Sequence, residues 1–118
     1  MNLAGKLLRL PLRLVPPMTP MRVLTGPLAG KRWISTAGPH GCWIGTYERD
    51  LQMQFVRALR RGQVVYDIGA NAGFFTLLAA QLVGEDGQVV AIEPLPHNLS
   101  LLRRHLELNA IRNVRVVE

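Results

Sequence analysis

The chain has 118 residues, enough for one domain and too few for two. Its apolar fraction of 48% is that of a globular protein, and a single cysteine, Cys42, excludes an internal disulfide and suits a reducing, cytoplasmic setting. The net charge of +6 belongs to one end: residues 1–40 carry Lys6, Arg9, Arg13, Arg22, Lys31 and Arg32 without an acid, while in residues 41–118 eight arginines balance eight acids.

Residues 1–20 read as a basic, leucine- and proline-rich arm. Leu3, Leu7, Leu8 and Leu10, with Lys6 and Arg9, could lay a short amphipathic turn within residues 1–15 on an anionic membrane surface. A frayed arm is the preferred reading. Arg9, Pro11 and Arg13 interrupt the apolar region a signal peptide needs, and no run reaches the ~18 apolar residues of a membrane span. No aromatic precedes Trp33, so no nucleic-acid-binding face is expected.

Residues 21–45 read as a hairpin and a loop. Met21–Leu24 and Lys31–Ile34 flank the turn-rich Gly26-Pro27-Leu28-Ala29-Gly30. Ser35 to Gly45 holds Gly38, Pro39, Gly41 and Gly45 and is expected to be a loop, with a solvated His40. Cys42 reads as a small buried residue beside Trp43 and not as a catalytic thiol. Thr46 to Arg61 is expected to be a helix, capped by Thr46, with Glu48 and Asp50 early, Arg57, Arg60 and Arg61 late, and Gly62 as the stop. Leu51, Phe55 and Leu59 share its apolar face. Tyr47 and Glu48 either face a ligand or form a plain surface turn.

The most informative stretch is Val64 to Thr76, Val-Val-Tyr-Asp-Ile-Gly-Ala-Asn-Ala-Gly-Phe-Phe-Thr. Val64, Val65, Tyr66 and Ile68 suit a strand buried on both faces. Gly69 is expected to take positive φ where the strand turns over, and it has no Cβ to block a ligand. Gly73 is expected to let the following helix pack close to the strand. That helix begins at Phe74 and offers unpaired N–H groups at the turn. Gly84-Glu85-Asp86-Gly87 ends it, and Gln88 to Ile92 forms a second strand that finishes in Glu93-Pro94. An acid at that tip can accept hydrogen bonds from a vicinal ribose diol, worth roughly 1.5–3 kcal/mol each. The unit therefore points to a nucleoside-containing ligand.

Pro96 then suits the first position of a third helix, buried through Leu99, Leu102 and Leu106, with Arg103, Arg104 and Glu107 outside. His105 reads as a surface or hydrogen-bonded residue, and no second ligand stands at metal-binding spacing. Asn109-Ala110 ends this helix and Val114 to Val117 is a third strand. Residues 46–118 thus form a helix followed by β-α-β-α-β, with strands at about 64–68, 88–92 and 114–117. Right-handed crossovers give parallel strands in the order 3-2-1, with the outer edge of the first strand open. The turn is neither G-x-G-x-x-G, since Phe74 stands three places after Asn71, nor a P-loop. A nicotinamide dehydrogenase is therefore disfavoured.

The spacing Asp67-x-Gly69-x-Asn71-x-Gly73 resembles motif I of the class I S-adenosylmethionine-dependent methyltransferases, with Asn71 where glycine is commoner. Asp67 to Asn71, Glu93-Pro94-Leu95-Pro96-His97-Asn98, Leu108-Asn109 and Asn113-Val114 resemble the FkbM family of that class in order and spacing, over about residues 21–118. Gly45-Thr46-Tyr47-Glu48 is similar to a subset of it. The resemblance implies the first half of a Rossmann-like α/β fold, S-adenosyl-L-methionine as cofactor, and O-methylation of a sugar, glycan or secondary-metabolite hydroxyl. It places Gly69, Ala70, Asn71 and Gly73 around the methionine moiety, Asp67 as the residue that orients the turn, and Glu93 on the ribose. It also implies that the segment ahead of motif I packs over the cofactor site. Family members continue with a K-I-D-x-E-G-like segment that these 118 residues lack. The expectation is a chain cut before its acceptor site, with an unidentified catalytic base and marginal stability. The alternative is a non-catalytic nucleotide-binding or assembly module that pairs with itself or a completing chain through the open strand edge.

Overall fold

The computed structural model describes residues 11–118. The membrane-surface reading of residues 1–15 therefore falls mostly outside the described residues. After a 3-10 turn at Pro11–Leu14 come two short antiparallel strands, β1 (Pro20–Arg22) and β2 (Arg32–Ile34). Met21 pairs with Trp33, and the hairpin continues through Val23 N–H to the Lys31 carbonyl at 2.8 Å. The expected loop 35–45 contains one helical turn, α1 (Gly41–Ile44), which buries Cys42 and Trp43.

Helix α2 is Arg49–Ala58, shorter at both ends than the expected span. Thr46 does not cap it. Glu48, with φ 42°, turns the chain into the helix, and no side chain caps that end. Of the expected apolar face, Phe55 and Leu59 pack against the core and Leu51 does not. Leu51 is 36% exposed, whereas Gln52 is buried, its Nε2 donating to the carbonyls of Tyr47 (2.6 Å) and Gly45 (3.2 Å). Two carbonyls just ahead of the helix need a donor, and Gln52 meets that need where a leucine could not.

The main sheet is parallel, in the order β3 (Val64–Ile68), β4 (Gln88–Ile92), β5 (Val114–Val117). Tyr66 lies beside Val90, and Ala91 beside Val116. Helix α3 (Phe74–Val83) connects β3 to β4, and α4 (Pro96–Leu108) connects β4 to β5. Helix α3 is apolar nearly all round and is the centre of the molecule. Its second half packs Ala79, Ala80 and Val83 against Val65 and Val89 of the sheet, Phe55 of α2 and Leu59 just after it. Asn113 closes its C-terminal end by donating Nδ2–H to the carbonyls of Ala80 (2.9 Å) and Gly84 (2.8 Å).

One expectation about β3 fails. It is not buried on both faces, for Val64, Tyr66 and Ile68 are 58%, 67% and 79% exposed. Only the face carrying Val65 and Asp67 is covered, because no described helix lies over the other. The outer edge of β3 has no strand partner among the described residues.

The hairpin is fastened to α4 by two polar side chains. Asn109 acts toward Arg32 as a neighbouring strand would, its Oδ1 accepting from the Arg32 N–H (2.7 Å) and its Nδ2 donating to the Arg32 carbonyl (2.9 Å). His105, fully buried, accepts from the Ile34 N–H at Nε2 (2.9 Å). That fixes the tautomer, so Nδ1–H donates to the Ala72 carbonyl (2.7 Å). His105 thus ties the hairpin, α4 and the β3–α3 turn into one body. Among the described residues no helix is long and apolar enough to cross a membrane.

Candidate functional site

The turn between β3 and α3 is built from alternating left-handed residues: Gly69 (φ 78°), Asn71 (φ 52°) and Gly73 (φ 97°). Asparagine tolerates this region better than most residues with a side chain, which accounts for Asn71 at a place where glycine is commoner. The Gly73 N–H donates to the Ala70 carbonyl at 2.9 Å and closes the turn. The turn is held to the end of β4: the N–H groups of Gly69 and Ala70 donate to the Ile92 carbonyl at 2.9 and 3.0 Å.

Glu93 completes that attachment. Its side chain is buried, with Oε2 accepting from the Asn71 N–H (2.8 Å) and Oε1 from the Leu95 N–H (2.9 Å). Asp67, on the covered face of β3, accepts from the Thr76 hydroxyl at 2.6 Å. Burial pushes the Asp67 carboxyl above its ordinary pKa, and the Thr76 hydrogen bond partly opposes that shift.

Gly73 is needed for a reason other than the expected one. A Cβ there would lie 2.4 Å from Cδ1 of Leu102, so its tight neighbour is α4 and not the strand. Leu102 is fully buried and cannot swing aside freely. Gly73→Ala is therefore expected to cost about 2 kcal/mol, from the left-handed backbone and local overpacking together. Chemical denaturation checks this, and a midpoint equal to that of the unaltered chain would contradict it.

A cavity of about 110 Å³ lies against the turn. Asp67, Gly69, Ala70, Asn71 and Gly73 line one side. The other side comes from the segment ahead of β3, through Trp33, Gly38, Pro39, Cys42 and Tyr47. Of the six residues expected at the site, five meet at this cavity. Glu93 is hydrogen-bonded to the turn and does not line the cavity. Trp33 and Thr76 are additions that the sequence did not single out. No local pattern marks Trp33, whereas Thr76, three residues into α3 and nine after Asp67, could have been found by asking what partners a carboxylate at the end of a strand. Two wider grooves, of about 780 and 1040 Å³, run along α4 and at the opposite end of the sheet, and neither reaches the turn.

The site can hold a polar ligand with few charges of its own. Helix α3 has no acid in its first turn and no side-chain cap, so its N-terminal N–H groups are available to an electron-rich group. Cys42 is a poor nucleophile, since burial and the nearby Glu48 charge push its thiol up to about 12. At pH 8 its reaction with a disulfide reagent is expected to be roughly a hundredfold or more slower in the folded chain than in urea. Equal rates by absorbance would contradict the buried placement. Among the described residues no cluster of His, Cys, Asp and Glu could hold a metal ion.

Comparison with known proteins adds a family. The family model described as protein-L-isoaspartate(D-aspartate) O-methyltransferase matches residues 47–118. A protein-L-isoaspartate O-methyltransferase of Methanothrix thermoacetophila is 32% identical over 78 residues, which are 66% of this chain and 37% of that protein. An arsenite methyltransferase of Halobacterium salinarum is 40% identical over 57 residues, 48% of this chain and 15% of that one. Among solved structures, precorrin-6y C5,15-methyltransferase of Geobacter metallireducens superposes with a TM-score of 0.54 at 28% identity, covering 58% of this chain and 37% of that chain. The chain thus spans little more than a third of the first relative's length.

Proposed function

Because the chain belongs to the class I S-adenosylmethionine-dependent methyltransferases, the class of the isoaspartate O-methyltransferase model it matches over residues 47–118, we propose that the turn Gly69–Gly73 receives the cofactor and serves methyl transfer to an acceptor oxygen. The cofactor is S-adenosylmethionine. The observation that carries the reading is the left-handed run at residues 69, 71 and 73 over a cavity against the end of β3.

The residues present fit that cofactor. A Cβ added at Gly69 would meet nothing within 4 Å, so the backbone there is open to an approaching ligand. The cavity is smaller than the roughly 300 Å³ of a whole-ligand pocket and suits one end of the molecule. In this reading Gly69, Ala70, Asn71 and Gly73 surround the methionine end, and Asp67, held by Thr76, faces it. Glu93 keeps two lone pairs beyond those it gives to the backbone, and these take the ribose hydroxyls.

When bound, the cofactor supplies an electrophilic methyl group on a sulfonium sulfur. The chain's own part is to bind and orient it, so that an acceptor oxygen can approach in line. The FkbM-like words around Glu93 and Asn109 favour a hydroxyl of a sugar, glycan or secondary metabolite. The family model that matches favours a second reading, an isoaspartate carboxylate in a protein.

The test is transfer from methyl-labelled S-adenosylmethionine to each acceptor class in turn. A hydroxyl acceptor yields an ether that survives mild alkali. A carboxylate yields an ester that releases labelled methanol. Label in neither, by a chain that binds the cofactor, would overturn transfer and favour the non-catalytic binding module.

A further inference from the structure

We propose that His105 is a positioning residue of this site, its Nδ1–H holding the Ala72–Gly73 peptide in the orientation the turn needs to receive the cofactor. The inference rests on the cofactor reading above and adds a residue from α4, outside the turn. His105 is fully buried and does not line the cavity, so it acts through what it holds. Its Nδ1–H donates to the Ala72 carbonyl at 2.7 Å, and its Nε2 accepts from the Ile34 N–H at 2.9 Å. Ala72 and Gly73 both line the cavity.

Three peptides of the turn are held from the end of β4. The N–H groups of Gly69 and Ala70 donate to the Ile92 carbonyl, and that of Asn71 donates to Glu93. The peptide between Ala72 and Gly73 has no such support from β4. A peptide plane turns over most easily when the residue after it accepts either sign of φ, and glycine does. Gly73, at φ 97°, is that residue. Its N–H donates to the Ala70 carbonyl at 2.9 Å. The C=O and N–H of a trans peptide point opposite ways, so the Ala72 carbonyl points away from that bond, and there it meets His105.

Two hydrogen bonds therefore pin this plane, and the one from His105 ties it to another element. Without that bond the Ala72 carbonyl has no partner in the core, and the plane gains freedom to turn over. A turned plane would take the Gly73 N–H from Ala70 and redirect the backbone that enters α3. The N–H groups at the start of α3 would move with it, and these are what the uncapped helix offers a ligand. The two ring nitrogens thus have separate tasks. Nε2 docks the hairpin, and Nδ1 sets the turn.

The experiment is calorimetric titration of S-adenosylmethionine into the full chain, into His105→Asn and into His105→Gln. Asparagine places its amide where Nδ1 stands and can still donate to Ala72, but it does not reach Ile34. Glutamine reaches the position of Nε2 and can still accept from Ile34, but it leaves the Ala72 carbonyl without a donor. Each variant loses one buried hydrogen bond, so a merely structural role would affect both alike. The expected result is a loss of affinity of about tenfold or more for His105→Gln and of less than about threefold for His105→Asn. Equal losses, no loss in either, or the reverse order would overturn the inference. Should either variant fail to fold by circular dichroism, the unaltered chain labelled with ¹⁵N-histidine gives the answer. Its His105 Nδ1–H signal should shift in step with saturation by S-adenosylmethionine, and a signal that stays fixed while the amides of residues 69–76 shift would overturn the inference. Failure of the folded, unaltered chain to bind S-adenosylmethionine at all would overturn the cofactor-site reading, and this inference with it.

Discussion

His105→Ala is expected to destabilise the chain by about 4 kcal/mol, a large part of the 5–15 kcal/mol that holds a domain together. The cost has three sources. The Ile34 N–H and the Ala72 carbonyl lose their partners inside the core, at roughly 1–3 kcal/mol each. Trp33 loses the ring stacked on it at 3.8 Å. The fully buried imidazole leaves a void that its neighbours only partly fill. The change also separates three elements at once, since His105 is the point where hairpin, α4 and turn meet. Equilibrium urea unfolding measures the effect, and a loss below about 1 kcal/mol would contradict this role.

The same residue sets a pH response. Burial pushes the His105 pKa down to about 4 from its ordinary 6.5, against the Ala72 hydrogen bond, which raises it. The unfolded chain therefore binds the proton more tightly than the folded one. The stability from neutral His105 is fully present above pH 6.5 and is lost as pH falls toward 4, by about 3 kcal/mol in all. Asp67 acts in the opposite sense, because its raised pKa makes protonation favour the folded state as pH falls.

Glu93→Ala is expected to weaken S-adenosylmethionine binding by about a hundredfold and to cost about 2 kcal/mol of stability. The stability loss follows from the Asn71 and Leu95 N–H groups, which lose a charged acceptor. The binding loss has two parts. Two charge-assisted ribose hydrogen bonds disappear, and the turn loses the brace that sets its shape. Calorimetry together with a melting curve separates them. A lowered melting temperature with unchanged affinity would make Glu93 a structural brace alone.

What could be read from the sequence was local. The strands at Val64–Ile68, Gln88–Ile92 and Val114–Val117 are β-branched runs closed by Gly, Pro, Asn or Asp, and their order follows from crossover handedness. The turn was legible because Gly69, Asn71 and Gly73 are there for backbone geometry. What was not legible depends on distant partners. The apolar residues of β3 look buried on both sides, but whether a layer covers Tyr66 is not written in β3. Gln52 outcompetes Leu51 for the interior because of two carbonyls that periodicity does not register. His105 and Asn109 lie 71 and 77 residues from the hairpin groups they hold. Trp33 reaches the site from a hairpin that those two side chains help to dock.

The measurement that tests the central claim most directly is a ¹H–¹⁵N correlation spectrum of the chain titrated with S-adenosylmethionine. The account predicts saturable shifts at micromolar ligand, centred on the amides of residues 69–76 and on Glu93. A dispersed, folded spectrum that does not change, or that changes only along the grooves away from the turn, would contradict it.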